Sequence, residues 1–112
     1  MKFEIFKSES GEKFYFRLKA KNGQVILTSQ GYASKASAKN GIDSVKKHSA
    51  SKDNFEIKES SDGKPYFNLC SSNKQVVGSS QRYSSDSSMK KGIDSVMTVA
   101  PEAEIVDLTL EG

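Results

Sequence analysis

A chain of 112 residues with 35% hydrophobic and 28% charged residues holds material for one small soluble domain. Its net charge of +3 is spread over interspersed side chains, and the one dense basic run, Lys46-Lys47-His48, is too slight for the stripe of a dedicated nucleic-acid binder. A single cysteine, Cys70, excludes an intrachain disulfide and a cysteine-based zinc site, and no segment approaches the roughly 20 apolar residues of a membrane span.

Lys2 to Lys7 alternates around Phe3 and Ile5, the pattern of a half-buried strand. After turn residues Ser8 to Gly11, Phe14 to Leu18 predicts a second strand, with Phe14, Phe16 and Leu18 on one face and Tyr15 and Arg17 on the other. Asn22-Gly23 is hairpin chemistry, because both residues accept positive φ at low cost. The β-branched run Gln24 to Thr28 follows as a third strand. Beyond Tyr32 the period becomes helical: Ser34 is the expected N-cap, and Ala38, Ile42 and Val45 form a buried stripe. Lys39, Asp43 and Lys47 stand four residues apart on the polar flank, so the helix is placed at residues 35–48 with ion pairs along its side.

The same order then returns. Phe55-Glu56-Ile57 repeats Phe3-Glu4-Ile5, Tyr66-Phe67-Asn68-Leu69 repeats Tyr15-Phe16-Arg17-Leu18, and Ser80-Gln81-Arg82-Tyr83 repeats Ser29-Gln30-Gly31-Tyr32. Gly92-Ile93-Asp94-Ser95-Val96 answers Gly41-Ile42-Asp43-Ser44-Val45, and about half of the paired positions are identical. Ser85 or Asp86 is the expected cap of the second helix, whose stripe is Met89, Ile93 and Val96. Pro101 ends it, and Glu104 to Leu110 reads as one further strand.

The expected architecture is therefore α+β: two tandem, pseudo-symmetric β-β-β-α repeats, residues 1–51 and 52–112, closed by a C-terminal strand. They would share one core within a single domain, as one antiparallel sheet with both helices on the same face. Each half alone, near 50 residues, would be marginal. The expected oligomeric state is a monomer that is internally a pseudo-dimer.

The doubled motifs Phe-Glu-Ile, Asn-x-Gln-Val, Ser-Gln-x-Tyr-x-Ser and Lys-x-Gly-Ile-Asp-Ser-Val together resemble the YegP-like family, small bacterial proteins of unknown function. The resemblance covers nearly the whole chain. It implies one sheet built from two units that exchange their C-terminal strands, and it brings no activity, cofactor or site residue with it.

Reactive chemistry finds little material. His48 is the sole histidine, predicted at a helix C-terminus where a positive charge suits the dipole. Cys70 is expected to be an unreactive thiol on or just past the second copy's middle strand. Asp43 and Asp94 are the only acids placed identically in both helices; a paired-carboxylate site would need them brought together, whereas ion pairs with Lys39 and Lys90 explain them more simply. Metal-ligand and phosphate-loop spacings are absent. The mid-helix glycines, Gly41 and Gly92, each cost about 1 kcal/mol relative to alanine, which points to a close approach of the helix backbone to a neighbour or to a backbone-lined cleft.

What remains is surface. The sheet face away from the helices would present Glu4, Tyr15, Arg17, Tyr66 and Asn68, and aromatic side chains beside cations can stack nucleic-acid bases. Cross-strand pairing is the plainer explanation of those residues. Gln30 with Tyr32 and Gln81 with Tyr83 form a second repeated set at the strand-to-helix corner, where each tyrosine is expected to staple the corner through a hydrogen-bonded phenol. The expectation is a non-enzymatic cytoplasmic binding or interaction module without a cofactor and with an unknown ligand; the alternatives are weak binding of single-stranded nucleic acid, or of a protein, on the open sheet face, and an enzyme using Asp43 and Asp94.

Overall fold

The computed structural model describes residues 1–109. Leu110, the last residue of the expected closing strand, lies outside the described residues, as do Glu111 and Gly112. The first half forms β1 (Lys2–Lys7), β2 (Phe14–Lys19), β3 (Val25–Thr28) and α1 (Lys35–His48). The second forms β4 (Phe55–Glu59), β5 (Pro65–Cys70), β6 (Val76–Ser79), α2 (Asp86–Val99) and the closing β7 (Glu104–Asp107). All seven strands lie in one sheet, ordered β4-β5-β6-β3-β2-β1-β7.

The strand alternation decides the two faces. Phe3, Ile5, Phe16, Leu18, Phe67 and Leu69 point toward the helices and are fully buried. One hydrophobic cluster runs through both halves, taking in Val45 of α1 and Met89 and Val96 of α2. The halves meet where β3 pairs with β6, through the single register pair Thr28↔Ser79, which are themselves equivalent positions. The pseudo-twofold axis therefore passes between them. Next to the axis the equivalent positions are Leu27 and Gly78, and they cannot both be large. A Cβ placed on Gly78 would stand 2.8 Å from Leu27 Cγ, so one leucine occupies space belonging to both copies.

The hairpins follow local turn chemistry. Gly23 sits at φ 82°, whereas its counterpart Lys74 is held at φ 67°, the only non-glycine residue with positive φ among the described residues. Beyond Thr28 and Ser79 the pairing with each β2-type strand continues through a serine. The Phe16 N–H donates to Ser29 Oγ at 2.9 Å and the Phe67 N–H to Ser80 Oγ at 3.0 Å, a hydroxyl taking the place of a ladder carbonyl. Ser34 and Ser85 cap the helices, accepting from Ser37 N and Ser88 N at 3.1 Å.

The doubled Ser-Gln-x-Tyr motif also accounts for the helical glycines. Tyr32 stacks on Phe16 at 6.1 Å and Tyr83 on Phe67 at 6.3 Å. Each phenol lies against the glycine of the following helix: a Cβ on Gly41 would stand 2.5 Å from Tyr32 Oη and 2.8 Å from Phe16 Cε2, and Gly92 is closed in the same way by Tyr83. The close approach is thus by an aromatic ring from the corner. The staple works through stacking and contact with bare backbone, and in the second half the expected hydrogen bond joins it, between the Tyr83 phenol and the Gln81 side chain.

Two refinements concern the sheet. Six strands pair antiparallel, but β7 pairs parallel with β1, with Phe3 facing Ile105 and Ile5 facing Asp107. The exchange of closing strands is also one-sided. After α2 the chain crosses to β1; after α1 it makes a short 3-10 turn, Lys52–Asn54, and enters β4 directly, leaving the outer edge of β4 without a strand. Ile5 is accordingly 0% exposed and its counterpart Ile57 55%.

Helix propensity alone would make Gly41→Ala stabilising by about 1 kcal/mol. With Tyr32 and Phe16 in the way, the same change is expected to destabilise by about 1–3 kcal/mol, and the cost should shrink in a Tyr32→Phe background. Urea denaturation of the four proteins measures both effects; a gain in stability for Gly41→Ala would show that the ring does not enforce the glycine.

Candidate functional site

Tyr15, Arg17, Tyr66 and Asn68 all lie on the face away from the helices and are half-buried. A register row crosses that face as Val106, Glu4, Arg17, Thr28, Ser79, Asn68 and Glu56. The sequence equivalence of the two tyrosines does not survive in their surroundings. Tyr15 stacks on its cross-strand partner Phe6 at 5.6 Å, and the Arg17 guanidinium lies over the same ring at 4.6 Å. Tyr66 instead faces Lys58, and Asn68 Oδ1 accepts from Ser79 Oγ at 2.6 Å. The face therefore carries a cationic-aromatic cluster on the first half and a polar one on the second.

At the centre of the first cluster is Glu4, on the open face where the strand alternation puts it. It is 4% exposed and ringed by three cations: Arg17 Nε donates to Oε1 at 2.7 Å, Lys19 Nζ stands at 3.1 Å and Lys2 Nζ at 3.5 Å. Burial pushes the carboxyl up, but the hydrogen bonds and charges of Arg17 and Lys19 outweigh it and hold the group at about 2. The equivalent Glu56 has lost all three: Asn54, Asn68 and Cys70 stand where Lys2, Arg17 and Lys19 do, and Glu56 is exposed with only Lys58, 3.1 Å away, as its ion-pair partner among the described residues.

Between the clusters, at the seam of the halves, lies a shallow groove of about 400 Å³. Its lining is four equivalent pairs: Val25 with Val76, Thr28 with Ser79, Ser29 with Ser80, and Gln30 with Gln81. Gln30 Nε2 crosses the seam to donate to Val76 O at 2.9 Å. Gln30 thus ties the halves at the axis, whereas Gln81 lines the groove and hydrogen-bonds the Tyr83 phenol; burial raises both phenols at the helix corners.

The other reactive side chains are occupied or apart. His48 is half-buried in the last turn of α1, where the sequence places it, and bridges the halves: Nδ1 meets Ser44 O at 2.8 Å and Nε2 meets Ser72 N at 3.2 Å. Cys70 ends β5, and burial followed by the nearby Glu56 carboxylate pushes its thiol up, against thiolate formation. Asp94 pairs with Lys52 at 3.6 Å rather than with Lys90, and the expected Lys39–Asp43 ion pair is not formed. The cause is reach: Lys52, in the 3-10 turn beside α2, meets Asp94 across the groove that also holds Phe55, Ile57 and Ile93, and Asp43 is not part of that groove. Among the described residues no cluster of three His, Cys, Asp or Glu could hold a metal ion, and no helix is long and apolar enough to cross a membrane.

A second, half-buried carboxylate lies on β7. Asp107 accepts from Thr109 N at 2.8 Å and Thr109 Oγ1 at 2.5 Å and meets Lys35 Nζ at 2.9 Å. The Thr109 hydrogen bonds, opposed by burial and joined by Lys35, hold it at about 2. Both Glu4 and Asp107 titrate below their ordinary values of 4.5 and 3.8, so the unfolded chain binds the more protons. Their stabilisation is present in full above pH 4.5 and is expected to vanish as pH falls toward 2. Urea midpoints should therefore drop across that window, and Glu4→Gln should flatten the drop while lowering stability at neutral pH by about 1–3 kcal/mol. An unchanged pH profile in Glu4→Gln would contradict the assignment.

Two stretches, residues 9–56 and 60–107, each match the family described as "Domain of unknown function (DUF1508)". Among curated proteins the chain is 49% identical over 106 residues to the UPF0339 protein in the ptx operon 5' region of Stutzerimonas stutzeri, covering 95% of each chain. It is 47% identical over 108 residues to UPF0339 protein YegP of Yersinia pestis, covering 96% of each. Two solution NMR structures share the fold at a TM-score of 0.91. One is UPF0339 protein SO3888 from Shewanella oneidensis, 44% identical, with 98% of this chain and 92% of that one covered. The other is yegP from E. coli, a protein of unknown function, 43% identical, with 99% and 95% covered. With both halves matched and relatives of such identity spanning nearly its whole length, the chain carries two DUF1508 repeats and belongs to the UPF0339 family of bacterial proteins of unknown function.

Proposed function

We propose that the chain is a non-enzymatic binding module whose contact surface is the uncovered sheet face, centred on the groove at the seam. The observation that carries this reading is the groove's composition: four equivalent pairs present hydroxyl and amide groups about the axis, and no helix covers them. A ligand suited to it is small and polar, with hydrogen-bonding groups at both ends. The absence of catalysis in this reading is supported by a histidine whose two nitrogens are engaged and a cysteine biased to the thiol. A cytoplasmic setting is part of the proposal, supported by the unpaired Cys70, which suits a reducing compartment.

A second reading, binding of single-stranded nucleic acid, rests on Lys2, Arg17 and Lys19 beside Tyr15 and Phe6. Two features weigh against it: Glu4 engages all three cations, and the second half lacks their equivalents.

Amide NMR spectra recorded against nucleotides, oligonucleotides, short peptides and common metabolites test both. The groove reading expects shifts at Thr28, Ser79, Gln30 and Gln81 that Gln30→Ala with Gln81→Ala abolishes. The nucleic-acid reading expects salt-sensitive oligonucleotide binding that Tyr15→Ala and Arg17→Ala weaken far more than Tyr66→Ala does. Shifts confined to the helix face would remove both.

A further inference from the structure

The outer edge of β4 is the one place where the duplication leaves a backbone row and an apolar side chain without the partner that its counterpart has. On β1 the matching edge is taken by β7, and the Leu108 N–H reaches Ile5 O at 2.9 Å. By equivalence, Phe55, Ile57 and Glu59 turn their N–H and C=O groups outward from β4. Ile57 is exposed beside a groove formed with Phe55, Ile93, Lys52 and Lys90.

The charges around this edge decide what can pair with it. A β7-type strand is disfavoured, because Asp86 stands where Lys35 holds Asp107 on the first half, so the acidic side chain would meet another acid. Antiparallel pairing of β4 with itself about Ile57 is different. It sets Ile57 against Ile57, Glu56 against Lys58 and Lys58 against Glu56, and it brings Glu59 of the second copy toward the lysines flanking Phe55. The outward-facing residues make the hydrogen-bonded pairs. Glu56 and Lys58 fall in the closer, non-hydrogen-bonded pairs, where cross-strand side chains interact most. A lysine on an edge strand ordinarily blocks such pairing; here its charge is matched by the strand's own glutamate.

We propose that β4 is a self-complementary docking edge through which two copies form a symmetric dimer with one continuous sheet. The interface is small, so the association is weak, and the expected monomer is the form present at low concentration. The contact closes on itself, because a twofold pairing leaves no further β4 edge for growth.

Sedimentation equilibrium from about 10 µM to about 1 mM tests this over the range where small interfaces associate. Wild-type protein is expected to show a monomer–dimer equilibrium. Lys58→Glu and Glu56→Lys each create two like-charge pairs and are expected to weaken it by about tenfold or more. Mixing these two variants restores both opposite-charge pairs, so the mixture should dimerise where neither variant does alone. Amide spectra of the variants check that each stays folded. A wild-type chain that remains monomeric throughout, a dimer indifferent to both substitutions, or a mixture no tighter than its components would overturn the proposal.

Discussion

Everything in this fold depends on one steric fact at the pseudo-twofold axis: there is room for a single leucine between the halves. Leu27 fills the space that a side chain on Gly78 would need, so the central layer is continuous only because the two copies differ there. An exact duplication would either overpack the axis or leave it hollow, and both are costly in an interior packed as densely as an organic crystal. With β3 and β6 joined by one register pair, it is this apolar contact, helped by Gln30 and His48 bridging from either side, that lets two half-length units act as one.

Residues that are the same in both copies build the frame. Ser29 and Ser80 replace a ladder carbonyl, Ser34 and Ser85 cap helices, and Tyr32 and Tyr83 lie on Gly41 and Gly92. Residues that differ build the surface. Lys2, Phe6, Arg17, Lys19 and Lys35 gather charge and aromatic area around Glu4 and Asp107, whereas in the second half Asn54, Asn68 and Cys70 carry no such charge, Asp86 reverses the sign of Lys35, and Lys58 puts a cation where Phe6 stacks. A repeated motif in this chain is therefore a poor guide to function, and the departures from repetition are the better one. The closing strand belongs to the same pattern, because β7 seals one edge of the sheet and nothing seals the other.

Much of the fold was legible because its determinants are local. The helix at residues 35–48, its Ser34 cap, the Asn22-Gly23 turn and the buried alternation of Phe3, Ile5, Phe16 and Leu18 all follow from period and turn chemistry. The parallel pairing of β7 was not, since nothing in Glu104 to Asp107 states which edge a strand will join after a helical crossover. Glu4 was legible as a residue of the open face, but its burial was not, because that is produced by Lys2 of its own strand and by Arg17 and Lys19 reaching over it from β2. Asp43 and Asp94 promised more than they delivered, because helical spacing allows an ion pair without enforcing it, and Lys52 lay nearer to Asp94.

The shared axis can be tested by exchanging its two residues. Leu27→Gly should destabilise by about 3–5 kcal/mol and Gly78→Leu by about 1–3 kcal/mol or more, the first through a cavity and the second through overpacking. If one leucine serves both halves, the double variant Leu27→Gly with Gly78→Leu moves it to the equivalent position and should recover at least about half of the summed loss, as a coupling energy in a double-mutant cycle of urea denaturation. Losses that simply add, with no recovery in the double variant, would show that the two copies do not share their central contact.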